Sequence, residues 1–144
     1  MLKFFRSLFD EPHATPDPHL PELAAAALML EVAWADHDIT ADELNLLSAQ
    51  LKAVFTLTEK EVEAFLEEAV QAHEASVGLH PYTQVLNSEL DSEAKNSIVL
   101  ALWRIALADE VITPLEEHTI RRIADLLYVS HRDFIAAKQK ARSD

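Results

Sequence analysis

The chain has 144 residues, no cysteine and a single glycine, and its 25 acidic residues outnumber its 12 basic ones, giving a formal net charge of −13. A chain of this length is expected to form one domain. The lone glycine excludes glycine-rich phosphate loops, the dinucleotide-binding fingerprint and the nucleophile elbow of hydrolases. The missing cysteines exclude disulfides and thiolate chemistry. Composition therefore predicts an acidic helical domain without an obvious catalytic apparatus.

Negative charge is concentrated in the first 120 residues, which hold 22 of the acidic residues and 6 of the basic ones. Residues 121–144 carry the other six basic residues against three acidic ones. A surface with this excess of carboxylates repels a phosphate backbone, so nucleic acid is not expected as a partner. Cations or a basic face of another protein suit the surface better, and solubility alone is the alternative explanation.

The chain opens with MLKFFRSLF, in which Lys3 and Arg6 stand among apolar residues, and this pattern predicts a short amphipathic helix over 1–9. Its candidate docking surfaces are the domain itself, a neighbouring chain and a membrane surface. Prolines then predict an extended linker over 10–19, followed by the folded domain over 20–142. The longest apolar run, 23–30, has eight residues. A membrane-spanning helix needs about 20, so no transmembrane segment is expected.

Helix starts are marked by capping signals, in which a Ser or Thr oxygen and an acidic side chain bind first-turn amides. The matching stretches are Thr40-x-x-Glu43, Thr58-x-x-Glu61, Thr113-x-x-Glu116 and, more weakly, Ser130-x-x-Asp133. Together with the apolar spacing, they predict seven helices at about 20–36, 41–55, 59–76, 81–89, 92–109, 114–128 and 131–142. No stretch alternates with period two, so the fold is predicted to be all-α without a β-sheet.

Two halves of the chain resemble each other. Residues 28–43, LMLEVAWADHDITADE, align with residues 101–116, ALWRIALADEVITPLE, at a constant offset of 73. The match continues through the turn that follows the first helix of each half. We therefore predict an internally duplicated, pseudo-twofold helical domain.

Each of these first helices is apolar nearly all round and carries one charged residue, Glu31 in one and Arg104 in the other. A helix without a polar face is expected to lie at the centre of a domain. The two charges occupy equivalent positions, and a hydrogen-bonded buried pair is far less costly than a lone buried charge. We predict that the two helices pack together with Glu31 and Arg104 as a structural buried pair; separate exposure of each charge is the alternative.

The repeated acidic turn is the candidate metal site. Asp36, Asp38 and Thr40 have the D-x-D-x-T spacing that opens a calcium loop, but Glu43 falls at the eighth position rather than the twelfth. The candidate ligands of the two turns are Asp36, Asp38, Glu43, Asp109, Glu110 and Glu116. Oxygen ligands favour Ca²⁺, Mg²⁺ or Mn²⁺. In the alternative interpretation the glutamates only cap helices, the aspartates shape the turns, and no cofactor is required.

The turn pattern Ala-Asp-x-x-Ile-Thr-x-x-Glu occurs at 35–43 and again at 108–116, and the later half also contains Leu-Trp-Arg-Ile-Ala at 102–106. With these motifs, residues 20–142 resemble the TerB-like tellurite-resistance family, which includes the amino-terminal domain of a membrane-anchored DnaJ-type co-chaperone. His37 and Glu110 stand where the family pattern has a turn glycine.

The resemblance implies a bacterial, cytoplasmic, all-α domain of the stress-response and tellurite-resistance type that is not an enzyme. It also implies other proteins as partners, including those of a membrane-associated stress complex, and an acidic face that binds metal. The competing function class is a metal-dependent hydrolase using the clustered carboxylates, which requires a concave pocket with convergent acids.

Overall fold

The computed structural model describes residues 20–35, 40–74, 78–108 and 112–143. These residues form seven helices and no strand: α1 (Leu20–Ala33), α2 (Ala41–Val54), α3 (Glu59–Glu74), α4 (His80–Glu89), α5 (Ser92–Ala106), α6 (Pro114–Leu126) and α7 (His131–Ser143). The predicted all-α fold is confirmed. The predicted helix over 1–9 and the linker over 10–19 lie outside the described residues.

Helix α1 occupies the centre of the fold. Every residue from Leu23 to Leu30 is at most 3% exposed. The helix contacts α2, α3, α4, α5 and α6, so its apolar surface is covered on all sides. Fully burying one large aliphatic side chain contributes about 1.5–3 kcal/mol, and α1 presents four such residues within this run. Among the helices of the described ranges, none has the length and apolarity to cross a bilayer.

Helix α5 is the second buried element. It packs against α7 and α2 and also contacts α1, which confirms the prediction that the two apolar helices meet. Its Trp103 is fully buried, with the ring centroid 5.1 Å from that of Phe134 on α7. Trp103 is therefore a core residue.

Both apolar helices end earlier than predicted and in the same way. The amide of Ala35 donates to the carbonyl of Val32 at 3.2 Å, and the amide of Ala108 donates to the carbonyl of Ile105 at 3.3 Å. Such i→i−3 bonds tighten the last turn and stop the α-helical ladder. The two ends match at the predicted offset of 73, whereas the duplication itself stays a prediction.

Three capping boxes form as predicted. In each, the Thr hydroxyl accepts the Glu amide at 3.1–3.2 Å, and the Glu Oε1 accepts the Thr amide at 2.9–3.0 Å; the pairs are Thr40–Glu43, Thr58–Glu61 and Thr113–Glu116. The Ser130 hydroxyl accepts the amide of Asp133, which gives half of a box. A side-chain cap of this kind contributes about 1 kcal/mol.

Helix α6 ends in a Schellman motif built without glycine. Tyr128 has φ 60°, and the amides of Tyr128 and Val129 bond to the carbonyls of Asp125 and Ala124. Asn87 of α4 donates to the carbonyl of Leu126 at 2.9 Å, which fixes the same helix end. A left-handed conformation costs a non-glycine residue about 1–2 kcal/mol, so this turn holds local strain.

We expect Tyr128→Gly to be more stable than Tyr128→Ala by about 1 kcal/mol. Both substitutions remove the ring and its contact with Lys95, whose Nζ lies 5.8 Å from the ring centroid, but only glycine relieves the backbone cost. Urea unfolding of the two variants measures the difference. Equal stability of the alanine and glycine variants would contradict the assigned strain.

Candidate functional site

Two capped helix starts meet at one pocket, which we call the acidic pocket. It has a volume of about 310 Å³ and lies between the start of α2, the end of α5 and the start of α6. Three apolar side chains and three carboxylates contribute to its lining: Leu46, Ile105, Ala108, Asp42, Glu43 and Glu116. The volume is at the lower end of the range for ligand pockets, which suits the side chains of a short segment.

Capping fixes two of the three carboxylates. Glu43 and Glu116 each accept the amide of the capping Thr in the first turn of their helix. Glu116 is only 4% exposed, and the partial positive charge of a helix N-terminus stabilises a carboxylate held there. Capping therefore fixes the orientation of two of the carboxylates that line the pocket.

The predicted metal ligands divide into two groups. Glu43 and Glu116 both line the acidic pocket, whereas Asp36, Asp38, Asp109 and Glu110 lie outside the described residues. Within the described ranges, no group of three or more His, Cys, Asp or Glu side chains is arranged to hold a metal ion. The metal site stays a prediction, and the fit of a divalent cation depends on the undescribed turn residues.

Sequence reasoning missed one carboxylate and all the apolar members of this pocket. Asp42 precedes Glu43 in the first turn of α2, and its only sequence signal is the general preference for acids at helix starts. Leu46 lies one turn beyond Asp42, whereas Ile105 lies in the last turn of α5 and Ala108 lies two residues beyond its end. Nothing in the local pattern relates those two segments, because tertiary packing alone brings them together.

Glu31 and Arg104 are each half-buried, on α1 and α5. Burial, with a smaller contribution from the negative charge of Glu31, raises the pKa of Tyr82 to about 12. Glu31 therefore acts on α4 as well as lying on the helix that contacts α5. The pairing of Glu31 with Arg104 stays a prediction.

A second pocket of about 720 Å³ lies between the end of α5, the start of α6 and the last turns of α7. Lys138 donates to Glu117 at 2.8 Å, and its Nζ lies 5.1 Å from the centroid of the Trp103 ring. The hydrogen bond from Lys138 lowers the pKa of Glu117, and the charges of Lys138, Arg121 and Arg142 act in the same direction, whereas burial opposes them. This pocket thus has a more basic lining than the acidic pocket.

The placement of Glu31 near Tyr82 can be tested by alkaline titration. Tyrosine is neutral when protonated, so a raised pKa contributes stability that is full below about pH 10 and is lost as the pH rises toward 12. In a Tyr128→Phe background, where Tyr82 is the single tyrosine, we expect Glu31→Gln to lower the pKa of Tyr82 part of the way toward 10.

Ultraviolet absorbance of the tyrosinate reports that pKa directly. Glu63→Gln, which removes a carboxylate from an exposed position of α3, is the matched control and leaves it unchanged. An identical titration curve in the Glu31 variant would show that Glu31 does not act on the phenol.

Comparison with known proteins adds the family. A family model described as tellurite resistance protein TerB matches residues 22–139, which is most of the chain and nearly all of the seven-helix fold. No curated protein and no solved structure matches the chain significantly. Because the match covers both capped turns and all the residues of the acidic pocket, the chain belongs to the TerB tellurite-resistance family.

Proposed function

We propose that the chain is a cytoplasmic, non-enzymatic interaction module of the bacterial tellurite-resistance and stress-response type. In this proposal, the acidic pocket recognises a basic and apolar segment of a partner protein, including partners in membrane-associated complexes. One observation carries it: a single pocket combines three apolar side chains with three carboxylates, two of which are anchored by capping boxes.

Recognition follows from the chemistry of that lining. Apolar side chains of a partner would cover Leu46 and Ile105, while its lysines or arginines would approach Asp42 and the two capping glutamates. Electrostatic complementarity of this kind accelerates association and selects against acidic partners. Carboxylates already held by helix caps lose little side-chain entropy on binding. The acidic surface of the first 120 residues directs basic partners to the domain and repels nucleic acid.

A divalent cation is the second part of the proposal. Ca²⁺, Mg²⁺ or Mn²⁺ bound by the two turns, through Asp36, Asp38, Asp109 and Glu110 with Glu43 and Glu116, would neutralise part of the charge and tune the pocket. The capping hydrogen bonds hold both helix starts through groups of the chain itself, so in this proposal the cation tunes the pocket and is not part of the fold. The hydrolase alternative gains no support from the family, and among the described residues the three carboxylates of the acidic pocket are not arranged to hold the metal that it requires.

Charge recognition can be separated from capping by Glu43→Gln/Glu116→Gln. Glutamine also serves in a capping box, so the variant keeps the helix starts and removes two charges. We expect it to bind a synthetic nonapeptide of lysine, leucine and phenylalanine several-fold more weakly than the native chain, as measured by calorimetric titration.

The matched control for that titration is Glu63→Gln/Glu67→Gln, which removes two exposed carboxylates of α3 and leaves the affinity nearly unchanged. A second peptide with glutamate in place of lysine should not bind. If both double variants weaken binding equally, the attraction reflects net charge and the acidic pocket is not the recognition site.

Cation binding is tested by thermal melting with Ca²⁺, Mg²⁺, Mn²⁺ or EDTA. A ligand at about 100 times its Kd stabilises the folded state by about 2.7 kcal/mol, which raises Tm by several degrees in a domain of this size. We expect a shift in the native chain and in Glu63→Gln/Glu67→Gln, and its loss in Asp36→Asn/Asp109→Asn and in Glu43→Gln/Glu116→Gln. Native Tm values that are identical with every cation and with EDTA would remove the cation from the proposal.

A further inference from the structure

The acidic pocket and the first nine residues of the chain have complementary chemistry. The segment MLKFFRSLF contains six apolar residues, two basic residues and no acidic one. The acidic pocket offers apolar side chains together with Asp42, Glu43 and Glu116. We propose that residues 1–9 dock in the acidic pocket of their own chain and cover it until a partner with the same chemistry displaces them. This inference rests on the proposed function, because it takes the acidic pocket as the recognition site.

The linker can span the length of the central helix. Residues 10–19 reach up to about 33–36 Å when extended, whereas α1, with its 14 residues, is about 21 Å long. A segment tethered in front of Leu20 can therefore reach either end of α1. Pro12, Pro16 and Pro18 favour an extended linker, which helps it to span that distance.

Because the segment is tethered to the domain, docking requires only a weak intrinsic affinity. A short linker gives a second site an effective concentration of about millimolar, so a weak intrinsic interaction is enough to fill the pocket a substantial part of the time. A free partner must then compete with the tethered segment. Weak docking of this kind lowers the apparent affinity for partners without blocking them.

Charge favours the acidic pocket over a lipid surface as the docking site. Lys3 and Arg6 give the segment a charge of +2, so the rest of the chain carries −15. The basic segment is attracted to its own domain, whereas an anionic membrane that attracts the segment repels the domain. A second copy of the chain offers the same pocket, but the linker gives the segment of the same chain the higher local concentration.

Paramagnetic broadening tests the proposal in the full chain. The chain has no native cysteine, so Ser7→Cys carries a nitroxide at a single position. We expect loss of the amide signals of Thr40, Leu46 and Ala108, while those of Glu63 and Gln84 persist because their helices do not line the acidic pocket. The signals should return in Ser7→Cys/Phe5→Ser/Leu8→Ser, which keeps both basic residues and removes two apolar ones. Uniform broadening over all exposed helices would overturn the proposal.

Two further measurements identify other sites of docking. In the first, a chain that carries the spin label but no nitrogen-15 is mixed with a nitrogen-15 chain that carries no spin label. Broadening at the pocket in that mixture would show docking between copies and would overturn docking within one chain. Sedimentation with vesicles of equal phosphatidylcholine and phosphatidylglycerol gives the second outcome. Vesicle binding that depends on Phe5 and Leu8, without broadening at the pocket, would assign the segment to a lipid surface and overturn the proposal.

A peptide titration separates failure of this inference from failure of the proposed function. The lysine-containing nonapeptide should bind Phe5→Ser/Leu8→Ser more tightly than the native chain, because the competing segment is weakened. Equal affinity for both chains would overturn docking of residues 1–9 and leave recognition by the acidic pocket intact. Absence of binding to either chain would overturn both.

Discussion

The fold depends on the burial of α1. A helix without a polar face is stable only when other elements cover its whole circumference, and five of the other helices contact it. This requirement fixes the arrangement of the domain more strongly than any single polar contact. Since α5 is also largely buried, the ends of both helices are constrained by the core. Helices α2 and α6 each contact both buried helices, so packing also positions the carboxylates in their first turns.

Capping boxes then connect fold stability with the chemistry of the acidic pocket. A Glu at the third helical position bonds back to the amide of its capping Thr, and this same bond fixes where its charge lies. Two such glutamates reach one pocket because α2 and α6 begin beside the end of α5. The capping role of Glu43 and Glu116 is thus compatible with the recognition role proposed for them, because capping supplies the orientation that a recognition site needs. Glutamine at the third helical position can make the same capping hydrogen bond as glutamate but carries no charge. Substitution by glutamine therefore separates the capping role from the electrostatic one.

Local sequence signals predicted the helices and their starts well, because capping and apolar periodicity act over a few residues. Thr113, Pro114 and Glu116 specify the start of α6 without reference to the rest of the chain. Tyr128 could not be predicted in a left-handed conformation, since glycine is the usual residue at that position of a Schellman motif. The contact of Asn87 with the carbonyl of Leu126 joins residues 39 apart and fixes that helix end through tertiary structure. The acidic pocket was partly predictable through its glutamates, whereas its apolar members depend on the packing of α2 against α5.

The uneven distribution of charge has a structural counterpart in the two pockets. Asp42, Glu43 and Glu116 line the acidic pocket together with apolar side chains, whereas Lys138 and Arg142 of α7 contribute to the second pocket. Both pockets include residues from the end of α5 and the start of α6, so α6 contributes to sites of opposite character through neighbouring residues: Glu116 lines one and Glu117 the other. Glu116 is held by its cap, and Glu117 is neutralised by Lys138. Because consecutive residues of a helix point in directions about 100° apart, the neighbouring residues Glu116 and Glu117 face different pockets. In the proposed function, a basic, apolar segment would therefore be attracted to the side of α6 where the acidic pocket lies, because Lys138 and Arg142 line the second pocket and would repel it.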